Sequence, residues 1–283
     1  MKNGKTIQIF LPDGNARSIR IAEITSRTIY ALLIPRSKLE YAVTRNELAN
    51  VGVYLLIGDQ EEGSKPLVYI GEAEDCSARL KQHNKAKDFW NNAIVIVSKT
   101  QYFTKTHVKF LEWYSHTEAE KAGRFKIDNS NIPSRPYVSE SMESDLVDNF
   151  ETIRILTAAL GFPVFDQIAT PDKKDILICK GKEALAEGEY TEDGLVVFKE
   201  STCNLQESKT AGSWVIGMRK KLVDDGVLVN SGNVYKFTSN HIFSSPSTAA
   251  AVVLARRANG WIEWKYKNGK TLDEVKRKSI NTI

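Results

Sequence analysis

The chain has 283 residues and a formal net charge of +4, with 42% hydrophobic and 26% charged residues. This composition excludes a disordered or collagen-like chain, and a prior of about 150 residues per domain predicts two domains. No run approaches the ~18 apolar residues that span a bilayer, and no secretory signal follows Met1 to Lys5, so a cytoplasmic protein away from membranes is the expectation.

Cys76, Cys179 and Cys203 form no CxxC pair and read as buried thiols. Charge is uneven along the chain. Residues 1–150 carry 20 basic and 19 acidic side chains (net +1), residues 151–200 carry 6 and 10 (net −4), and residues 201–283 carry 13 and 6 (net +7). A basic last third suits a polyanionic partner, although a solvated face is the plainer explanation.

In chain order, Lys5 to Phe10 and Ser18 to Ile21 alternate around Asp13-Gly14, which predicts a hairpin. Residues 22–45 read as a short helix or irregular connection, broken at Pro35. Val51 to Gly58 and Leu67 to Gly71 read as strands separated by an acidic loop, Asp59 to Pro66. Cys76, Leu80 and His83 then recur at helical spacing. Ala93 to Val97 reads as a third strand, Lys105 to Ala122 as a long helix, residues 127–136 as loop, and residues 141–160 as helix.

A boundary is expected between Gly161-Phe162-Pro163 and Thr170-Pro171-Asp172. Beyond it, strands are expected at Asp175 to Lys180 and Gly194 to Lys199, and a helix at Ser213 to Val223. A hairpin should turn at Ser231-Gly232-Asn233, and Pro246 should open a helix over Ser247 to Arg257. Trp261 to Tyr266 reads as a strand and Thr271 to Lys278 as a short helix.

The residues that carry chemistry lie between positions 52 and 131. Tyr54 and Tyr69 are core candidates, but phenols on neighbouring strands converge on one phosphate where the register allows. A phenol titrates near ~10, so a tyrosine base needs a nearby arginine or a divalent cation. Arg79 shares one helix side with Cys76 and His83. It reads as a guanidinium clamp on a phosphate, or as a surface partner of Glu74 or Asp75. His83 reads as a structural histidine, a hydrogen-bond donor to substrate, or a proton shuttle.

Glu112 lies about 40° around its helix from Val108 and so borders the apolar face. A carboxylate there needs a basic partner such as Lys109, or a cation such as hydrated magnesium. Glu72, Glu74 and Asp75 would repel a phosphate beside this group, or would serve to cap the helix beginning near Asp75.

Gly52-Val53-Tyr54, Tyr69-Ile70-Gly71, Arg79, Glu112 and Asn129 or Asn131 occur in the order and spacing of the GIY-YIG nuclease family, which residues 50–135 resemble. The resemblance implies an α+β fold in which a small three-stranded antiparallel sheet is flanked by helices. It also implies cleavage of DNA phosphodiester bonds. Tyr54 would be the general base, supported by Tyr69 and assisted by His83. Arg79 would stabilise the transition state, Glu112 would hold Mg²⁺ (or Mn²⁺), and Asn131 or Asn129 would orient the phosphate. The alternative is a silenced nuclease fold that binds DNA or regulates without cutting. A double-strand cut from one such site needs a homodimer or two sequential nicks.

Residues 190–270 resemble an uncharacterised domain often found behind such nucleases. The resemblance is carried by Val196-Val197-Phe198-Lys199, Tyr235-Lys236-Phe237-Thr238 and Asn259-Gly260-Trp261-Ile262-Glu263-Trp264, among other stretches. It implies a second small α+β domain, and the Arg219-Lys220-Lys221 cluster is its expected nucleic-acid contact. On the expected strand, Trp261 and Trp264 would face opposite sides. The expected organisation is an N-terminal hairpin and connection (1–48), a nuclease-like domain (49–136), a helical connection and linker (137–189) and a basic domain (190–283).

Overall fold

A computed structural model describes residues 4–59, 65–168 and 176–278. The chain forms two compact units that divide after Gln167. The expected boundary residues Thr170 to Asp172, and most of the acidic loop after Asp59, lie outside the described residues.

The first unit is built on β1 (Ile7–Phe10), β2 (Arg20–Ile24), β3 (Ile29–Pro35), β4 (Gly52–Gly58), β5 (Leu67–Ala73), β6 (Trp90–Ser98) and β7 (Lys126–Ile127). Its helices are α1 (Leu39–Ala42), α2 (Cys76–Ala86), α3 (Lys105–Ala122) and α4 (Glu140–Ala159). The strands form one sheet in the order β1-β2-β3-β6-β4-β5-β7. Every pairing is antiparallel except β5 with β7.

The fold class is therefore α+β, but the sheet of this unit has seven strands where three are expected. The predicted three, β6-β4-β5, are consecutive neighbours within it. The N-terminal hairpin extends the same sheet through β3, a strand where the sequence suggests a helix or irregular chain.

Alternation along the central strands splits the core. Val53, Leu55, Val68, Ile70, Ile94 and Ile96 pack towards α3 and α4. Tyr54, Leu56, Val95 and Val97 face the other way and pack with Cys76 and Leu80 of α2. Asp75 caps α2 by accepting the Ala78 N–H at 2.9 Å. Thr104 and His107 form a capping box at the start of α3.

The second unit contains β8 (Leu177–Lys180), β9 (Leu185–Thr191), β10 (Gly194–Val197), β11 (Thr202–Asn204), β12 (Leu228–Ser231), β13 (Val234–Phe237), β14 (His241–Phe243) and β15 (Lys265–Tyr266). Its helices are α5 (Gly212–Asp224), α6 (Pro246–Leu254), α7 (Gly260–Glu263) and α8 (Leu272–Lys276). One sheet runs β14-β10-β9-β8-β15 and a second runs β11-β13-β12. Strands β8 and β9 thus belong to this unit and are not part of a linker ending at residue 189.

Helix α6 is apolar around most of its circumference and correspondingly buried. Ser245 caps it, Pro246 opens it, and Ala255 closes it in the left-handed region at φ 54°. The expected strand over Trp261 to Tyr266 is instead a helical turn followed by a two-residue strand, because Asn259 caps α7. Trp264 is buried and donates its indole N–H to the Pro246 carbonyl at 3.1 Å. Trp261 packs on Tyr190 and under the Arg277 guanidinium, 3.5 Å from the ring centre. Cys76, Cys179 and Cys203 are buried free thiols, and burial raises each to about 12. Among the described residues no helix is long and apolar enough to cross a membrane.

Candidate active site

The register of β4 against β5 builds the site. Tyr54 is opposite Gly71, and Leu56 is opposite Tyr69. The two tyrosines therefore share a face as diagonal neighbours, with ring centres 6.1 Å apart. Gly71 is where the Tyr54 ring needs room. A Cβ there would meet the Tyr54 hydroxyl at 2.3 Å and Cζ at 2.5 Å.

Helix α2 brings His83 and Arg79 over this pair. His83 Nε2 is 2.8 Å from the Tyr54 hydroxyl, and Arg79 Nε donates to the same oxygen at 3.2 Å. Arg79 can only donate, which leaves the phenolic proton for Nε2 in the tautomer whose hydrogen is on Nδ1. Arg79 also donates to Gln82 Oε1 at 3.1 Å, so its side chain is not spent on Glu74 or Asp75.

Electrostatics polarise the junction. Burial, then the neighbouring Tyr69, hold the Tyr54 phenol above its ordinary value, while Arg79 opposes them. Burial, helped by Arg79 and Lys87, pushes His83 down to about 4. At neutral pH the imidazole is uncharged, so its Nε2 lone pair can accept the hydrogen bond of the Tyr54 phenol.

Glu112 projects from α3 towards Glu72 of β5. Burial, and then the Glu72 charge, raise its carboxyl to about 7, while Lys105 and Arg79 lower it. Lys105 pairs with Glu72 at 2.9 Å and with Glu74 at 3.8 Å. With Asp75 used as a cap, the acidic cluster is thus largely engaged.

Glu112 has no ion pair with a lysine or arginine among the described residues, Lys109 included. A carboxyl with no basic partner of its own, next to the Lys105-paired Glu72, offers a hard oxygen donor of the kind a hydrated divalent cation such as Mg²⁺ or Mn²⁺ favours. No group of three or more His, Cys, Asp or Glu side chains suited to a metal occurs among the described residues. Water and substrate oxygens would have to supply the other ligands.

Of the two asparagines, Asn129 is built into this region. Its Nδ2 donates to the Ile70 carbonyl at 2.7 Å, and its Oδ1 accepts the Ile70 N–H at 3.0 Å. It extends the β5 edge where β7 stops. Asn131 lies exposed two residues on. Lys87 is a participant that sequence reasoning misses. Its ammonium is 2.7 Å from Asp128 and 4.7 Å above the Tyr69 ring. The only prior signal is its place one helical turn after His83.

The expected nucleic-acid contacts on α5 separate. Arg219 is 1% exposed and cannot face a partner. It donates to the carbonyls of Val252 (2.5 Å), Asn204 (2.6 Å) and Leu205 (3.2 Å) and pairs with Glu207 at 3.2 Å. Its position was legible. Val215, Met218, Arg219 and Leu222 are spaced as one helical stripe, and all four are buried. Lys220 is exposed and Lys221 half-buried.

A family profile described as a domain of unknown function, DUF4357, matches residues 177–276. The match covers the second unit and agrees with the uncharacterised domain expected there. No curated protein and no solved structure matches the chain.

Proposed function

We propose that the first unit is a metal-dependent endonuclease site that hydrolyses DNA phosphodiester bonds. The observation that supports this most directly is the junction at the Tyr54 hydroxyl, which meets a neutral histidine and an arginine at once. Each partner has a distinct part in hydrolysis.

In this reading the Arg79 guanidinium neutralises charge on the phosphate oxygens as water attacks phosphorus. The water proton passes to Tyr54 Oη while the Tyr54 proton moves to His83 Nε2, a transfer that requires the negative charge of the bound phosphate to offset Arg79 and Lys87 and raise the basicity of His83. The developing imidazolium is stabilised by the phosphate dianion character of the transition state. The ester P–O bond then breaks, the leaving oxygen takes a proton from solvent, and the His83 imidazolium releases its proton to solvent to restore the site. Tyr69 packs on the His83 ring, and Lys87 lies over the Tyr69 ring. Glu112 would hold the divalent cation, which when bound would offset charge at the leaving oxygen.

The test is nicking of supercoiled plasmid by the purified chain, with and without Mg²⁺, beside Arg79→Ala and Glu112→Ala. Metal-dependent nicking that disappears in both variants is expected. The complete burial of Tyr54 favours a second reading, a nuclease-like fold that binds DNA without cutting it. Intact plasmid with retained binding by wild type and both variants selects that reading.

A further inference from the structure

The second unit has an open polar cleft of about 700 Å³. Its walls are the Lys180–Glu183 turn after β8, the Asn204–Ser208 segment after β11, Asn233 in the β12–β13 turn, and Arg256 after α6. The volume lies within the range of ligand sites, about 300–1,000 Å³.

The walls are fixed relative to one another. Asn204 Oδ1 accepts the N–H groups of Glu183 (3.1 Å) and Ala184 (3.0 Å), and its Nδ2 donates to the Leu254 carbonyl (3.0 Å). One side chain therefore ties together three segments of the rim. Beneath it, Arg219 binds the carbonyls of Asn204 and Leu205 and braces the floor, with its charge met by Glu207.

The basic lining residues Lys180, Lys182 and Arg256 outnumber the acidic Glu183 and Glu207 by one, and Arg256 is paired with Glu263 at 2.8 Å, so the uncommitted charge on the rim is that of Lys180 and Lys182 against Glu183. Glu207, one of the two acidic lining residues, is committed to Arg219. Lys180 and Lys182 are exposed and form no ion pair among the described residues. The Asn204–Ser208 wall continues through Ser208, whose N–H bonds the Ala255 carbonyl at 2.9 Å, to Gly212. Beyond the residues that line the cleft, the Arg257 side chain and Trp214 both flank Gly212. A Cβ on Gly212 would be 3.5 Å from Arg257 Nε and 3.8 Å from Trp214 Cδ1. Trp214 is 41% exposed. Free ammonium groups over a rigid polar floor suit phosphates, and an exposed indole beside a guanidinium suits a base face.

We propose that this cleft binds a single-stranded nucleic-acid segment, with Lys180 and Lys182 on backbone phosphates and Trp214 stacked on a base. The inference does not depend on the catalytic reading of the first unit. It also moves the nucleic-acid contact of this unit away from the Arg219–Lys221 cluster.

The experiment measures binding of a fluorescent 12-nucleotide single strand to the full chain in EDTA, across salt concentrations. Lys180→Glu/Lys182→Glu, Trp214→Ala and Lys220→Glu are compared, with thermal melts to verify folding. The double variant should bind about tenfold more weakly, and the double-neutral Lys180→Gln/Lys182→Gln should lower the salt slope by about 1.4, the release expected for two single-strand phosphates. Trp214→Ala should weaken binding at an unchanged slope. Photo-crosslinks should map to residues 180–214.

Unchanged affinity in the folded double variant, or crosslinks confined to the first unit, would overturn the proposal. Saturable ATP binding that needs Lys180 and Lys182, without strand binding, would also overturn it in favour of a free nucleotide. Plasmid nicking by the Lys180→Glu/Lys182→Glu chain reports separately on the first unit, so either reading can fail alone.

Discussion

The Tyr54 hydroxyl and His83 Nε2 meet at 2.8 Å across 29 positions of sequence, one from the middle of a central strand and one from the third turn of α2. Cys76 and Leu80, on the same side of α2, anchor that helix in the core and so fix the height of His83 above the sheet. The burial that makes this contact also sets its protonation.

His83 should titrate near pH 4 by NMR, well below its ordinary 6.5. Between those values the unfolded chain binds a proton that the folded chain refuses. The contribution of this residue to stability is therefore full above ~6.5 and declines as the pH falls towards 4. Urea unfolding at pH 7 and pH 5 should show a larger loss for wild type than for His83→Gln. An imidazole that titrates above 6 would contradict the contact.

Glu112 carries the opposite sign. Its folded carboxyl titrates at about 7, above the ordinary 4.5, so the folded chain holds the extra proton and stability declines as pH rises through that window. Glu112→Gln should stabilise the chain at pH 8 by on the order of 1 kcal/mol, after allowance for solvent screening. Mg²⁺ should raise the melting temperature of wild type at that pH and leave Glu112→Gln unmoved. Equal Mg²⁺ responses would remove Glu112 from metal binding.

Gly71→Ala should be more damaging than its size suggests. The new methyl would overlap the Tyr54 hydroxyl and ring, and overpacking of this kind costs typically about 1–3 kcal/mol. Denaturant titration should register that loss, and the Tyr54–His83 contact should weaken with it, which moves the His83 titration upwards. Wild-type stability in Gly71→Ala would mean that the ring has room to spare.

Most of this geometry is legible in the sequence where one face of an element is buried and the other is not. The helix over Lys105 to Ala122 and strand β5 show that contrast, while β4, buried on both faces, is marked instead by Gly52 and Gly58 at its ends. Strand β3 escapes because it is covered on both faces and, unlike β4, has no glycine at either end to mark it off. Ile29, Ala31 and Leu33 enter one core and Leu32 and Ile34 the other, so the segment reads as an unbroken apolar run without alternation. The asparagine beside β5 is undecidable from spacing alone, since its role depends on where β7 stops.

Asn129→Ala should therefore separate from Asn131→Ala. The first leaves both the Ile70 N–H and carbonyl without their partner, a loss of about 1–3 kcal/mol for partly buried backbone groups. The second removes an exposed side chain and should stay within about 0.5 kcal/mol. Hydrogen exchange at the Ile70 amide is the direct readout. Protection there should fall in Asn129→Ala and persist in Asn131→Ala.

Arg219 and Lys220 are adjacent in sequence and opposite in consequence. Arg219→Ala would strip three backbone carbonyls and Glu207 of their donor in a buried setting, and breaking such a network costs about 3–5 kcal/mol. Arg219→Lys should recover little of it, because one ammonium cannot reproduce a planar fork that spans Asn204, Leu205 and Val252. Lys220→Ala should shift stability by no more than about 0.5 kcal/mol. Any loss of polyanion binding in Arg219→Ala should then follow its unfolding curve, returning at temperatures where the variant is folded. Binding that is lost while the second unit stays folded would put Arg219 back at an interface, against its 1% exposure.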